Sequence, residues 1–340
     1  MNLGSKHKLS ITSELFKKSN IEIDKYYLFP ASGYRMRCEF SYSNFNYIMF
    51  DGDRRIELTV FNKAHPSIQR VMPVLLDYLK NVPTLTKGLF QINFRTNGEI
   101  TLITFIYRKT VPESYLEFAR QMESLIPIKC LARSKNKIIC TSDNQMHSKI
   151  YALDKNYILQ HSDNSFFQPN YYSLAMMLEF INNNLKNCDD LLELYCGCGS
   201  FSIPLSNKFK NVFVSDNNRD NIINLIANIK LNNIRNISFG RISDHEFSQA
   251  ISGREFNRLK GIDLQNFKFS HVIVDPPRSG LHDSLIKSLD LYKNIIYISC
   301  NPETFIRDVR RMDNYRIKSL ALFDQFANTP HLEVIGILEK

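Results

Sequence analysis

The sequence lacks the features of a membrane or secreted protein. No apolar run approaches the roughly 20 residues that a membrane-spanning helix needs, and Met1–Lys6 has no apolar core of a secretory signal. The seven cysteines stand at irregular spacings, which fit neither a disulfide framework nor an iron–sulfur cluster. We therefore expect a cytoplasmic protein without a membrane partner.

Two common nucleotide-binding signatures are also missing. Gly197 and Gly199 form a Gly-x-Gly pair without the third glycine of the dinucleotide fingerprint, and no Lys-Ser/Thr loop is present to hold phosphates. Cys196 and Cys198 are a lone Cys-x-Cys pair with no clustered partners, so we predict that the protein binds no metal.

Positive charge is concentrated in the first part of the 340-residue chain. Residues 1–150 contain 22 Lys and Arg against 13 Asp and Glu, whereas residues 151–340 contain 21 of each. A basic module joined to a neutral one indicates a polyanionic partner such as nucleic acid. A generic solubilising surface is the alternative.

Residues 1–165 have the pattern of an α+β domain. Alternating or β-rich runs at 34–42, 89–95 and 100–107 predict strands, and helical spacing predicts helices at 66–79 and 112–124. Lys and Arg interleave with Tyr and Phe there, which is typical of surfaces that hold phosphates and stack bases. Any half-buried basic sheet shows the same mixture.

Residues 166–340 alternate strands and helices, which predicts a parallel sheet with helices on both faces. The short connection between the last two strands, 317–323 and 333–338, predicts an antiparallel final strand. The other strands are expected at 191–195, 211–215, 237–240, 270–274 and 294–299, and the helices at 171–185, 218–231, 281–291 and 302–312.

The loop after the first strand of this sheet favours a nucleoside cofactor. Gly197 and Gly199 permit a tight turn and a close backbone approach to a ligand. Asp216 ends the second strand, where an acid can accept hydrogen bonds from both ribose hydroxyls. Without a phosphate loop, S-adenosylmethionine fits better than NAD or ATP. A purely structural turn is the alternative.

Cys300 stands where an apolar run ends and a helix begins, at Asn301–Thr304. A helix N-terminus favours the thiolate over the thiol, which suits a nucleophile. One strand earlier, Val274–Gly280 offers the carboxylate of Asp275 and the guanidinium of Arg278. The residues therefore indicate covalent catalysis on a planar polar ring. A buried filler is the alternative for a lone cysteine.

These motifs make the sequence similar to the RNA uracil-C5-methyltransferases, and within them to the bacterial branch that acts on uridine 54 of tRNA. The resemblance covers nearly the whole chain. Its motifs are Leu192–Phe201, Glu255–Leu264, Val274–Gly280, Ile298–Thr304 and Ala321–Phe326, with Tyr34–Phe40 and Leu89–Ile92 in the first part.

The resemblance implies a class I (Rossmann-like) S-adenosylmethionine-dependent methyltransferase domain at 166–340, preceded by the α+β RNA-binding domain at 1–165. Ribosomal members of the family usually add an OB-like domain and four clustered cysteines, neither of which is present here. The implied substrate is therefore the T-loop uridine of tRNA, and also tmRNA. The expected enzyme is a monomer.

The resemblance also assigns roles to individual residues. Cys300 is the nucleophile that adds to uracil C6, and Glu333 is the base that removes the C5 proton; without the family match, Glu333 would be taken for a solvated surface carboxylate. Arg278, Phe90 and Gln91 are expected to contact RNA, although Phe90 also suits a core. The expected cofactor-binding residues are Gln168, Tyr195, Gly197, Gly199, Ser200, Asp216 and Asp275.

The sequence departs from the family pattern at two positions. Ser200 stands where the family often has asparagine, and Pro330 stands beside His331 where close relatives have histidine.

Three other functions stay open. They are methylation of uracil C5 in 23S rRNA, an amino-methyltransferase that would use the Asp275-Pro276-Pro277 turn, and a non-catalytic RNA-folding protein.

Overall fold

The computed structural model, which describes residues 3–135, 137–327 and 329–340, contains two separately packed units. The larger unit consists of the stretch up to Ala31 together with Lys149–Gln160 and Asn164–Lys340. The smaller unit consists of Ser32–Ser148 and His161–Asp163.

In the described residues, the α-helices are α1 (Leu3–Lys18), α2 (Pro66–Asn81), α3 (Tyr115–Leu125), α4 (Tyr171–Asn184), α5 (Ser202–Leu205), α6 (Arg219–Leu231), α7 (Asp244–Ile251), α8 (Asp283–Leu289) and α9 (Pro302–Val309). The strands of the smaller unit are β2 (Arg37–Ser43), β3 (Asn46–Asp51), β4 (Arg54–Leu58), β5 (Leu89–Thr96), β6 (Thr101–Tyr107), β7 (Ile128–Ser134) and β8 (Lys137–Cys140). The hairpin β9 (Gln145–Ala152) and β10 (Lys155–Ser162) has residues in both units, and the strands of the larger unit are β1 (Lys25–Leu28), β11 (Asp190–Leu194), β12 (Val212–Ser215), β13 (Ile237–Gly240), β14 (Phe269–Val274), β15 (Asn294–Ser299), β16 (Arg316–Asp324) and β17 (Glu333–Glu339).

The larger unit is built on an eight-stranded sheet in the order β1-β16-β17-β15-β14-β11-β12-β13. Every neighbouring pair is parallel except those made by β17, which runs antiparallel to both β15 and β16. The predicted parallel sheet with an antiparallel final strand is confirmed.

Successive residues of the central strands bury their side chains on opposite faces of this sheet, as the pleat requires. In β14, Val272 and Val274 join a core that includes Phe247 of α7 and Phe305 of α9. Ile273 joins a second core, on the helices α4 and α6. Helices therefore cover both faces, as predicted, and the carboxyl ends of β11, β12, β14 and β15 meet at one edge.

The smaller unit has a seven-stranded sheet in the order β4-β3-β2-β5-β6-β7-β8. Its pairs are antiparallel except β6 with β7, which are parallel and joined by α3. Buried residues of α2 and α3 pack with those of the strands in one apolar core. This arrangement is the α+β type that the sequence predicts.

The observed division of the chain differs from a single boundary at residue 165. Residues before Ala31 belong to the larger unit because β1 pairs with β16, and because Leu9 and Phe16 of α1 lie in the same core as Phe305. These contacts join residues about 300 positions apart in sequence, so no local pattern could indicate them.

Candidate functional site

The turn after β15 holds Cys300 in the predicted position. Asn301 caps α9: its side-chain oxygen accepts a hydrogen bond from the Glu303 backbone N–H at 3.0 Å, and Pro302 occupies the first helical position. Cys300 is therefore fixed immediately before the helix, half-buried at the carboxyl edge of the sheet.

The electrostatic prediction for Cys300 is wrong in the resting protein. Burial, together with the carboxylates of Glu333 and Asp275, raises the pKa of the Cys300 thiol to about 11, and the opposing effect of Arg278 is smaller. The helix N-terminus does not outweigh two acids and partial desolvation.

Glu333 is brought beside Cys300 by strand pairing. The antiparallel ladder of β15 and β17 pairs Ser299 with Val334, so its next step sets Cys300 opposite Glu333. The Glu333 side chain is only 4% exposed, in contrast to the solvated carboxylate that its sequence context alone would suggest. Burial raises the pKa of Glu333 to about 7, while a hydrogen bond from Gln325 acts in the opposite direction.

Asp275 follows β14, the strand next to β15, and its environment is also acidic. Burial and the negative charges of Glu333 and Glu193 raise the pKa of Asp275 well above its usual value. Gln168 is buried and its Nε2 donates to the Asp275 carboxylate at 3.4 Å. The structure thus joins Cys300, Glu333, Asp275 and Gln168 in one cluster.

The glycine loop after β11 has the backbone shape that the sequence indicated. Tyr195, Gly197 and Gly199 adopt positive φ angles of 62°, 56° and 88°. A Cβ atom on Gly199 would lie 2.8 Å from Leu225 Cδ1 and 2.9 Å from Ile203 Cγ1, so only glycine fits there.

Asp216 is anchored next to this loop. Its two carboxylate oxygens accept hydrogen bonds from the backbone N–H groups of Gly197, at 2.9 Å, and Asn218, at 2.7 Å. The carboxylate is therefore oriented at the carboxyl end of β12, where a ribose diol can reach it. Ser200 is buried, and its Oγ lies 3.7 Å from Cys198 Sγ.

Glu193 was not among the predicted site residues. It lies on β11 in a fully buried position, and burial raises its pKa to about 8 against the smaller opposing effect of the nearby Ser202. An acid inside an otherwise apolar strand, Leu191 to Leu194, is the signal that could have identified it.

A cleft of about 350 Å³ opens over Cys300. Arg278 and His331 line it, with Arg278 Nη2 3.0 Å from His331 Nε2. The opposite wall comes from α1, through Ile11, Thr12 and Leu15. This helix was missed in the sequence, although Leu9 and Phe16 occupy positions on one helical face.

Phe90 and Gln91 lie on β5 of the smaller unit. The guanidinium of Arg108 lies over the Phe90 ring, 5.6 Å from the ring centroid. Phe90 and Arg108 line a surface groove together with Arg133 and Lys135. Gln91 Nε2 donates to Asn93 Oδ1 at 2.8 Å. Phe90 is half-buried and belongs to this basic groove, whereas the apolar core of the unit is formed by other residues.

Two features are absent from residues 3–135, 137–327 and 329–340. In these ranges no group of three or more His, Cys, Asp and Glu side chains is placed to hold a metal ion. Within the same ranges, every helix is too short or too polar to cross a membrane.

Comparison with known proteins gives a consistent match over the full length. The profile of the tRNA (uracil-5-)-methyltransferase family matches residues 2–340. A tRNA/tmRNA (uracil-C(5))-methyltransferase of Campylobacter concisus is 36% identical, over 97% of this chain and 94% of its own length. The protein of the same name in Dickeya chrysanthemi is also 36% identical, over 92% of this chain and 89% of its own length.

A solved structure has the same fold. The tRNA (uracil-54, C5)-methyltransferase of Pyrococcus abyssi, in complex with S-adenosyl-L-homocysteine, superimposes with a TM-score of 0.75. It is 24% identical, and the match covers 98% of this chain and 83% of that one. The predicted fold class is confirmed by this match.

Proposed function

The chain belongs to the tRNA (uracil-5-)-methyltransferase family, and we propose that it methylates C5 of uridine 54 in the T-loop of tRNA through a covalent bond between Cys300 and C6. It is an S-adenosylmethionine-dependent tRNA uracil-C5-methyltransferase. The equivalent loop of tmRNA is the second proposed substrate. The observation that carries the mechanism is the cluster of Cys300 with the acids Glu333 and Asp275, beside the cleft that Cys300 lines.

The residues at the carboxyl edge suit S-adenosylmethionine. Asp216 follows β12 and Asp275 follows β14, the two neighbours of β11, and a positively charged ligand beside them would favour their ionised forms. Gly197 and Tyr195 would carry its backbone contacts, Asp216 would bind the ribose, and Gln168 and Asp275 would lie toward the transferred group. The cofactor supplies a methyl group on a positively charged sulfur.

Cys300 starts the reaction. Its Sγ forms a bond to C6 and loses its proton to the solvent that reaches this half-buried side chain, while the electron pair of the C5=C6 bond moves toward O4. Arg278, a cation lining the same cleft, would stabilise that oxygen. Addition makes C5 nucleophilic, so one difficult step becomes two feasible ones.

Glu333 ends the reaction. After C5 has gained the methyl group, the ionised Glu333 carboxylate accepts the C5 proton, the C5=C6 bond re-forms and Cys300 leaves as the thiolate. A pKa near 7 suits this base, because the carboxylate is available at neutral pH and still binds a proton well.

The smaller unit is the proposed RNA-binding module, together with the rest of residues 1–165. The groove of Phe90, Arg108, Arg133 and Lys135 combines a stacking surface with cations. Swinging the target uridine out of its loop costs a few kcal/mol, which such contacts would offset. Binding should therefore weaken as the salt concentration rises.

All proposed catalytic groups come from one chain, which supports action as a monomer. Seven free cysteines suit the reducing cytoplasm, where tRNA is found.

To test the substrate, a tRNA transcript and a 23S rRNA fragment are offered side by side with labelled cofactor. Label is expected at uridine 54 of tRNA; transfer to the rRNA fragment alone would contradict the assignment.

A further inference from the structure

The connection between β16 and β17 carries a buried amide that contacts the proposed base. Gln325 follows the last residue of β16 and is 1% exposed. Its Nε2 donates a hydrogen bond to Glu333 Oε2 at 2.6 Å. Its backbone oxygen accepts from Asn170 Nδ2 at 3.1 Å, so the residue is held from both sides.

Lys8 of α1 holds the same connection at several points. Its buried Nζ donates to the carboxylate of Asp324, to the Phe326 carbonyl at 3.1 Å and to the His331 carbonyl at 2.9 Å. Asp324 and Phe326 are the two chain neighbours of Gln325, and His331 lies two residues before Glu333. One ammonium group therefore fixes the path of the chain around both residues.

We propose that Gln325 is the positioning residue of the proton-abstraction step, and that Lys8 secures the segment from which it acts. This inference rests on the proposed function, since it gives Glu333 the role of base. Gln325 orients the Glu333 carboxylate toward the ring carbon and keeps it ionised until the methyl group has been transferred.

The charges around Glu333 explain why it needs this partner. Asp275 and Cys300 face it from β14 and β15, and both are negative when ionised; Arg278 and His331 lie on the open side of the cleft. Gln325 is neutral and donates directly, so it stabilises the carboxylate without pairing it in a salt bridge that would lower its basicity further.

An amide also suits both protonation states of its neighbour. Gln325 Oε1 is buried and has no hydrogen-bond partner within the described part of the chain. A rotation of the amide by half a turn would present this oxygen to Glu333 once the carboxyl group carries the C5 proton. The same residue can thus hold the acid form until the proton leaves.

The test uses full-length protein with Gln325→Met, which keeps the volume and removes the donor, and Gln325→Asn, which keeps an amide but shortens its reach. Single-turnover reactions with labelled cofactor and tRNA transcript measure methyl transfer, and denaturing gels measure the protein–RNA adduct. Both variants should transfer the methyl group at near the normal rate, but release the product at least about tenfold more slowly, so that adduct accumulates.

A pH series gives a readout that a packing defect would not move. Loss of the hydrogen bond raises the pKa of Glu333, so the rising limb of the release rate should shift to higher pH in Gln325→Met. Gln265→Met, at an exposed glutamine of the same unit, is the matched control and should leave both rates unchanged.

The outcomes separate this inference from the proposed function. Normal product release and an unshifted pH limb in both variants would overturn the role of Gln325. If the unaltered enzyme itself formed no covalent adduct with tRNA containing 5-fluorouridine, the covalent mechanism would fail instead. For Lys8, the variant Lys8→Met combined with Asp324→Asn avoids a stranded carboxylate; release as fast as in the unaltered enzyme would remove Lys8 from the proposal.

Discussion

Cys300 and Glu333 occupy opposing positions at the end of one antiparallel ladder. Their neighbours Ser299 and Val334 are the last paired residues of β15 and β17, so the proposed nucleophile and the proposed base lie at the ends of adjacent strands. The thiol is consequently poised next to an acid that raises its pKa. In the proposed mechanism, the same closeness would let Glu333 reach C5 while Cys300 holds C6, since these two carbons are bonded neighbours.

Replacement of Glu333 by glutamine should stall the reaction after methyl transfer. The amide cannot accept the C5 proton, so the RNA stays bonded to Cys300, and turnover should fall by about 10²–10⁴. A denaturing gel with labelled tRNA would show the adduct. Glu179→Gln, at an exposed position of α4, is the control. A Glu333→Gln enzyme with normal turnover would exclude this residue as the base.

The same substitution should stabilise the fold at alkaline pH. The folded-state pKa of Glu333 is raised to about 7 from an ordinary value near 4.5. Its burial is therefore tolerated below pH 4.5, where the group is neutral in both states, and becomes increasingly costly as pH rises from 4.5 to 7, above which the cost levels off. Urea unfolding measures the free energy of unfolding of Glu333→Gln and of the unaltered protein at pH 5 and pH 8. The difference between the two proteins should increase by about 2–3 kcal/mol from pH 5 to pH 8. A gap independent of pH would contradict this account.

Replacement of Lys8 by methionine should destabilise the larger unit. Both Lys8 and Asp324 are buried, and removal of one partner leaves an uncompensated charge, at a cost of about 3–5 kcal/mol. Denaturant unfolding measures the change. Lys18→Met is the control on the same helix, because Lys18 and Glu14 form an exposed pair whose loss should cost less than about 1 kcal/mol. Equal losses of stability in the two variants would argue against a stabilising role for the buried Lys8–Asp324 pair.

Replacement of Gly199 by alanine should weaken both stability and cofactor binding. The added Cβ meets Leu225 and Ile203 below 3.0 Å, and the backbone has φ of +88°. Together they should cost about 2–4 kcal/mol, seen as a lower midpoint of unfolding and weaker calorimetric binding of S-adenosylhomocysteine. Gly253→Ala separates the strain of a positive φ from the steric clash, since φ at Gly253 is +97° but nothing lies within 4 Å of the added Cβ atom. If both variants behave alike, the clash at Gly199 has no role.

The sequence contained most of the local information about this site. The apolar run ending at Ser299 and the Asn-Pro pair that follows predicted the strand and helix that hold Cys300, because caps and propensities act over a few residues. The glycine loop and Asp216 were placed correctly for the same reason.

Non-local features could not be obtained in this way. The burial of Glu333 depends on which strand lies beside β17, and the pKa of Cys300 depends on acids 25 and 33 residues away. The contacts of Lys8 link residues more than 300 positions apart, and the α1 wall of the cleft lies beside residues more than 260 positions further along the chain. Only the folded chain brings these groups together.

The most direct measurement is mass spectrometry of the protein after incubation with cofactor and tRNA that contains 5-fluorouridine. Fluorine cannot leave as a proton does, so elimination is blocked, and a methylated nucleotide should remain attached to the peptide that contains Cys300. The Cys300→Ala variant should give no such peptide and no methylated tRNA, while Cys188→Ala should behave normally. Normal methylation of unmodified tRNA by the Cys300→Ala variant, with no cross-linked peptide in either protein, would contradict the account.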